Sequence, residues 1–127
     1  MERLTQPEED ALRVLWQLPA GGFVKDVLDQ LPALPGTSPR PPYTTLASTL
    51  RNLERKGYVR AEKLGNSFRF VPVVSADDYQ RRSLGTLVRQ HFQNSYKELV
   101  SFFAQENKVS AEDLQEIIRL IERKKED

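Results

Sequence analysis

The residues best equipped for chemistry in this sequence are hydroxyl and guanidinium groups spaced along one predicted helix. They recur every three or four residues, at Thr44, Ser48, Arg51 and Arg55. Side chains at this spacing share one side of a helix. In the major groove of DNA, hydroxyl groups bond to base edges, and arginine forks a guanine or binds phosphates. A solvated helix more often alternates Glu and Lys, so this face predicts contact with DNA.

The predicted DNA contacts also include residues on either side of this helix face and a hairpin turn that follows the helix. A turn at Gly65-Asn66 lays a wing along the DNA backbone, where contacts position a protein without specifying sequence. Tyr43, at the helix start, packs either against a phosphate or on the preceding loop, and both readings stay open. Arg55 and Lys56 have a second explanation, since cations stabilise the C-terminal end of a helix. The predicted DNA-binding residues are Tyr43, Thr44, Thr45, Ser48, Thr49, Arg51, Asn52, Arg55, Lys63, Asn66 and Arg69.

Catalytic and metal chemistry has little to build on in these 127 residues. The chain has no cysteine and a single histidine, His91, which excludes disulfides, thiolate metal sites and a cysteine nucleophile. An enzyme needs a paired nucleophile and base or a metal shell. We therefore predict no catalytic residues, no metal site and no cofactor.

The apolar residues are spread too evenly for a membrane protein. Hydrophobic residues make up 39% of the chain and charged residues 29%, a composition typical of globular proteins. No apolar run approaches the roughly 20 residues that a transmembrane helix needs. The N-terminus shows no basic-then-apolar signal region, so we expect a cytoplasmic protein that does not insert into membranes.

Charge is distributed unevenly along the chain. Between Arg40 and Arg69 there are seven cations and two anions, a net charge of +5, whereas from Val73 to the end there are nine cations and ten anions. A focused positive segment beside a near-neutral one is typical of a nucleic-acid reader with a separate assembly region. Chance clustering on a solvated surface explains the charge alone equally well.

Three helices are predicted to position these residues. Thr5 and Glu8 have the spacing of a reciprocal helix cap, and a short second helix fits Phe23–Gln30. The third helix runs from about Tyr43 to Lys56, with Leu46, Leu50 and Leu53 as its buried edge. Five of the eight prolines lie between Leu31 and Pro42 and predict a stiff loop, whose length bears on how the third helix approaches DNA.

A hairpin completes the first domain. Strands over Tyr58–Leu64 and Ser67–Pro72 flank the turn, and counting outward pairs Glu62 with Arg69 and Ala61 with Phe70. Three helices followed by a two-stranded wing predict a winged helix-turn-helix domain over residues 1–73. The predicted fold class is mainly α with a small β-hairpin (α+β).

Residues 74–127 are predicted to form three further helices that make a homodimer. Roughly fifty residues of short helices bury too little surface to be stable alone. Their apolar side chains recur at helical spacing, so packing against a second copy of the same segment is the plain solution. The predicted dimerisation residues are Leu84, Leu87, Val88, Phe92, Leu99, Phe102, Phe103, Leu114, Ile117, Ile118 and Ile121.

Several of these motifs together resemble one family. The run from Tyr43 to Val59 (YTTLASTLRNLERKGYV) is similar to the DNA-reading helix of the penicillinase-repressor family of bacterial winged-helix regulators, the BlaI/MecI/CopY group. The opening run from Leu4 to Trp16 (LTQPEEDALRVLW) resembles the first helix of that family. A wing, the segment Val71–Ser75 (VPVVS) and a helix with Tyr79 follow in the family's order. The resemblance extends to about Arg123.

The resemblance implies a homodimeric transcriptional repressor that binds inverted-repeat operators, as in β-lactam-resistance genes. It also implies release by a membrane-bound sensor metalloprotease, which in the family cuts between an Asn and a Phe. Phe102-Phe103 stands at that position, or Ser101-Phe102 with a shift of one residue, and the Asn is missing in both alignments. The copper-responsive branch carries a cysteine-rich metal site, which this chain lacks.

Two other classes of function compete with DNA binding. One is a winged-helix module for protein–protein interaction without sequence-specific DNA binding, because fold does not determine function. Such a module should expose apolar anchors on the third helix, where this chain has Thr, Ser and Arg. An enzyme ranks third for the reasons given above.

Overall fold

The computed structural model describes residues 2–31 and 40–126, with side chains up to residue 125. Most of the predicted proline-rich loop, Leu31 to Pro42, lies outside the described residues. Helices and one antiparallel hairpin follow in the predicted order, which confirms the α+β class. The elements are α1 Gln6–Trp16, α2 Val24–Gln30, α3 Tyr43–Arg55, β1 Val59–Leu64, β2 Ser67–Pro72, α4 Ala76–His91, α5 Tyr96–Gln105 and α6 Ala111–Glu126.

Helix α1 begins at the reciprocal cap that the sequence predicts. The Thr5 hydroxyl accepts a hydrogen bond from the Glu8 amide, and the Glu8 carboxylate accepts one from the Thr5 amide at 2.9 Å. Both amides belong to the first turn of a helix, where they have no intrahelical partner. With its start fixed, α1 buries Leu12 and Leu15 in the core.

Helix α3 packs through its leucine edge, which sets the direction of its opposite face. Leu46, Leu50 and Leu53 are buried. The helix ends at Arg55, and Gly57, two residues further on, has a φ of +87°. The Tyr58 amide donates back to the Leu53 carbonyl and the Gly57 amide to the Glu54 carbonyl, both at 3.0 Å, the bond pair of a Schellman ending. This tight ending leads the chain directly into β1.

The hairpin has the register that the sequence predicts. Leu64 pairs with Ser67, Glu62 with Arg69 and Ala61 with Phe70. Gly65 has a φ of +64°, which suits the first position of a two-residue turn. Phe70 and Val59 are buried on the face that covers the helices.

The connection between α1 and α2 also pairs with β2, and no pattern in the sequence predicts this pairing. Gly22 exchanges two backbone hydrogen bonds with Phe70, at 3.0 and 2.8 Å. Gly21 and Gly22 follow the end of α1. The bonds at Gly22 tie this connection to the wing.

We expect Gly21→Ala to lower the free energy of unfolding by about 3 kcal/mol. A Cβ at Gly21 would lie 2.5 Å from the Phe70 carbonyl oxygen, and its φ of +81° disfavours any L side chain. Chemical denaturation measures the loss. Gly57→Ala is the control, because its φ is +87° but nothing lies within 4 Å of an added Cβ. Equal losses for both variants would contradict the role of the Phe70 contact.

The chain divides into two compact units, one of described residues up to Tyr79 and one from Gln80 onward. Val74 and Tyr79 belong to the first unit because they contact α1. The Trp16 indole donates to the Val74 carbonyl at 2.9 Å, and the Tyr79 hydroxyl bonds to the Glu9 carboxylate. The division therefore falls within α4, six residues beyond the boundary at 73 that the motifs indicate.

Helices α5 and α6 begin at caps formed by serines. The Ser95 hydroxyl accepts from the Glu98 amide, and Ser110 and Asp113 form a reciprocal cap with both bonds at 3.0 Å. The hydrogen bonds from Ser110 lower the pKa of Asp113 below its ordinary value. Among the described residues, no helix is both long and apolar enough to cross a membrane.

Candidate nucleic-acid interface

The outer face of α3 presents polar side chains to solvent. Those exposed, besides the terminal Tyr43, are Thr44, Thr45, Ser48, Arg51, Asn52 and Arg55. Thr49 is half-buried, and its hydroxyl donates to the Thr45 carbonyl at 3.0 Å. In α3, which is described in full, Tyr43 is the one large apolar side chain that is exposed. A helix that docks onto a protein would show more apolar anchors.

Arg51 lies at the centre of this face and has two neighbours. Its Nη1 donates to the Glu54 carboxylate at 2.9 Å, one helical turn away. Its guanidinium carbon lies 4.1 Å from the centre of the Phe68 ring in β2. Arg51 thus joins α3 to the hairpin.

Arg55 and Lys56, which the sequence leaves ambiguous, have different roles in the structure. Arg55 is exposed, and its nearest carboxylate is that of Glu2 at 3.7 Å. The Lys56 side chain is only 9% exposed, and its Nζ donates to the Glu8 carboxylate at 2.6 Å and to the Arg3 carbonyl at 3.0 Å. Lys56 therefore stabilises the fold, and no pattern in the sequence identified Glu8 as its partner.

The buried carboxylate of Glu8 is held in its ionised form. Burial alone would raise the pKa of Glu8, but the hydrogen bond from Lys56 and the bonds from Thr5 lower it below its ordinary value. The same carboxylate therefore caps α1 and binds the cation at the end of α3.

Three of the predicted DNA contacts lie in the wing. Two of them are exposed, and the third forms an ion pair within the hairpin. Lys63 and Asn66 are exposed, and in the described part of the chain Lys63 forms no ion pair. Arg69 is half-buried and donates to the Glu62 carboxylate at 2.6 Å, opposite it in the hairpin. Hydrogen bonds from Arg69 and then Arg60 lower the pKa of Glu62. The Nε of Arg69 is buried without a hydrogen-bond partner in the described structure.

A groove of about 430 Å³ brings predicted contacts from two elements together. Tyr43 and Arg51 border it from α3, and Asn66 and Phe68 border it from the hairpin. Lys25 of α2 lines the remaining side. The helix face and the hairpin therefore border one groove, which has an apolar floor that includes Phe68 and Phe70 and carries the cations Lys25 and Arg51; cations of this kind can bind the DNA backbone.

The second predicted set, the dimerisation residues, is mostly exposed in the single chain. In α4 to α6 the exposed large apolar side chains are Leu84, Leu87, Tyr96, Val100, Phe102, Phe103, Ile117, Ile118, Leu120 and Ile121. Phe92, Leu99 and Leu114 are half-buried. Val88 differs from the rest because it is fully buried within its own chain. Tyr96, Val100 and Leu120 lie outside the predicted set although they are equally exposed.

The predicted cleavage position lies inside a helix. Phe102 and Phe103 are in α5, both partly exposed, with ring centres 5.4 Å apart. The peptide bond between them is therefore part of a hydrogen-bonded helical backbone. Within the described residues, no group of acidic or histidine side chains is arranged to hold a metal ion.

Comparison with known proteins assigns the whole arrangement to one family. The penicillinase repressor family matches residues 4–123, which include the exposed α3 face, the wing and the three C-terminal helices. No curated protein matches the chain. Since the match spans nearly all of the sequence, the chain belongs to the penicillinase repressor family, a family of transcriptional regulators.

Proposed function

We propose that this protein is a homodimeric repressor that binds inverted-repeat operators in the bacterial cytoplasm. The observation that carries the proposal is the division of α3, whose leucines are buried while its hydroxyls, Asn52 and two arginines are exposed. In this proposal α3 enters the major groove and the hairpin lies along the backbone. Membership of a repressor family supports the same function.

Dimerisation through the C-terminal helices is supported by their burial. In the described part of α4 to α6, Val88 is the one buried residue. Small helical assemblies need more buried apolar surface than this to fold. A second copy supplies an identical apolar face, and the resulting two-fold axis relates two reading helices. The half-sites should then lie one helical turn of DNA apart, about 34 Å, or a multiple of it.

Selecting bound fragments from genomic DNA with the purified protein tests the proposal directly. We expect an enriched palindrome with a fixed half-site spacing. Fragments enriched without a shared sequence would contradict sequence-specific repression. Sedimentation of the same sample separates the competing interaction module, because a stable monomer cannot bind two half-sites together.

Substitutions on the two elements should affect binding differently. Ser48→Ala is expected to reduce the preference for the selected site by about 1–3 kcal/mol, because it removes a hydroxyl facing base edges. Lys63→Ala is expected to weaken binding to all sequences about equally and to lower the salt slope by about 1, since it removes a phosphate contact. Titrations against the selected and a scrambled duplex, at several salt concentrations, measure both effects.

These two variants serve as controls for each other. Both positions are exposed, so neither substitution should change the free energy of unfolding by more than about 0.5 kcal/mol. If neither variant altered binding to the selected site, the assigned DNA-reading surface would be wrong.

Release from DNA by a membrane-bound sensor metalloprotease follows from the family resemblance, with Phe102-Phe103 as its site. A protease takes its substrate in an extended conformation, so α5 must first unfold locally. None of the residues of α5 is buried, which keeps the free energy of such opening low. The Asn that precedes the family's cleaved bond is absent here.

A further inference from the structure

The contact between Arg51 and Phe68 has a geometry that hydrophobic packing alone does not require. The guanidinium carbon lies 4.1 Å from the centre of the Phe68 ring, and the Phe70 ring centre is 5.8 Å away. These distances are within the range of cation–π interactions. The two side chains come from α3 and β2, elements whose relative position decides how both meet DNA.

Phe68 is a fixed platform. It lies on the core-facing side of β2 with Phe70, which is buried and bonded through its backbone to Gly22. Phe68 itself packs against the edge of the core. Its ring can therefore hold a guanidinium in place without moving.

The position of its guanidinium carbon over the Phe68 ring leaves donors of Arg51 available. A guanidinium stacks through its flat face, while its five N–H groups point outward in its plane. Glu54 accepts from Nη1 of Arg51, and both side chains of this pair are more than a third exposed. Such exposed ion pairs are weak. The guanidinium of Arg51 can therefore bind a base or a phosphate in place of Glu54 while it stays over the Phe68 ring.

We propose that Phe68 is a specificity-determining positioning residue, which sets the guanidinium fork of Arg51 before DNA arrives. The inference rests on the proposed function, since it assumes that Arg51 contacts DNA. Arginine has many rotamers, and binding usually has to immobilise it. A guanidinium that is already held in one orientation discriminates more strongly between bases, because it cannot turn to form hydrogen bonds with a base whose acceptors lie elsewhere.

The experiment compares three variants of Phe68, one with an aliphatic side chain and two with an aromatic ring. The Arg51→Ala variant first identifies the base pair at which sequence preference is lost. The measured quantity is then the ratio of the affinities for the selected duplex and for a duplex changed at that base pair. Phe68→Leu keeps an apolar side chain without a ring and should reduce that preference roughly 2- to 30-fold. Phe68→Tyr and Phe68→Trp keep a ring face and should retain it. In the Arg51→Ala background, Phe68→Leu should have no further effect.

The outcomes separate this inference from the proposed function. A wild-type protein without sequence preference overturns both. A discriminating wild type with an equally discriminating Phe68→Leu variant overturns this inference alone, as does an equal loss for Leu and Tyr. An NMR measurement needs no variant: ring-current shifts should move the Arg51 side-chain protons upfield in the free protein, and random-coil shifts there overturn the inference.

Discussion

Lys56→Met is expected to lower the free energy of unfolding by about 3 kcal/mol. Lys56 and Glu8 form a buried pair at 2.6 Å, and methionine fills similar space without the charge. Removing one partner leaves the other as an uncompensated buried charge, which is more destabilising than replacing both. Denaturant titration at neutral pH measures the change, with Lys63→Met as the exposed control. Equal effects of the two substitutions would contradict the role of the buried pair.

The pH dependence of the same variant identifies Glu8 as the cause. In the wild type the pKa of Glu8 is lowered from 4.5, so the pair stabilises the fold above that pH and loses its contribution as the pH falls through the folded pKa. In Lys56→Met, burial and the Thr5 hydrogen bonds remain but the lysine's hydrogen bond and charge are lost, so the pKa of Glu8 is higher than in the wild type. The deficit of the variant should therefore shrink on acidification, and adding Glu8→Gln should recover part of it at neutral pH.

Ile118→Asp is expected to convert the proposed dimer to monomers and to weaken binding to the proposed operator at least about 100-fold. Ile118 is 52% exposed in the single chain, so aspartate does not disturb the monomer but places a charge in the proposed interface. Two linked half-site contacts gain about 10²–10⁴ in avidity over one, and a monomer loses that gain. Sedimentation and operator titration measure the two effects together.

The matched control for this variant is Gln115→Asp. Gln115 is exposed on the same helix, about 110° around it from the centre of the stripe formed by Leu114, Ile117, Ile118 and Ile121, so it adds the same charge away from the middle of the proposed interface. It should leave both mass and affinity unchanged. A dimeric Ile118→Asp variant with normal affinity would show that the copies associate through another surface.

The parts of the fold that could be predicted from the sequence depend on local signals. The Thr5–Glu8 cap and the hairpin register follow from residues a few positions apart, because caps and turns leave a compositional signature. The Gly22–Phe70 bridge could not be predicted in this way. The bridge joins two segments that are distant in the sequence through backbone atoms alone. No particular side chain is needed for such a bond, so the sequence pattern does not predict it.

The candidate site shows the same limit. Helical spacing alone predicts that Ser48 and Arg51 lie opposite the buried leucines, and they do. The partner of Lys56 depends on how α1 packs against α3, which the sequence pattern does not contain. The hairpin register places Glu62 opposite Arg69. Opposite charges that face each other across two strands attract, so this register also predicts the ion pair between Glu62 and Arg69.

Each arginine assigned to DNA has a carboxylate neighbour within its own chain: Glu54 for Arg51, Glu2 for Arg55 and Glu62 for Arg69. Docking on an operator would thus be an exchange of hydrogen-bond acceptors, with phosphate oxygens or guanine edges replacing glutamate. The phosphate part of that exchange is the same on any duplex, so in the proposed function only the replacement of a glutamate by a base edge would favour the operator.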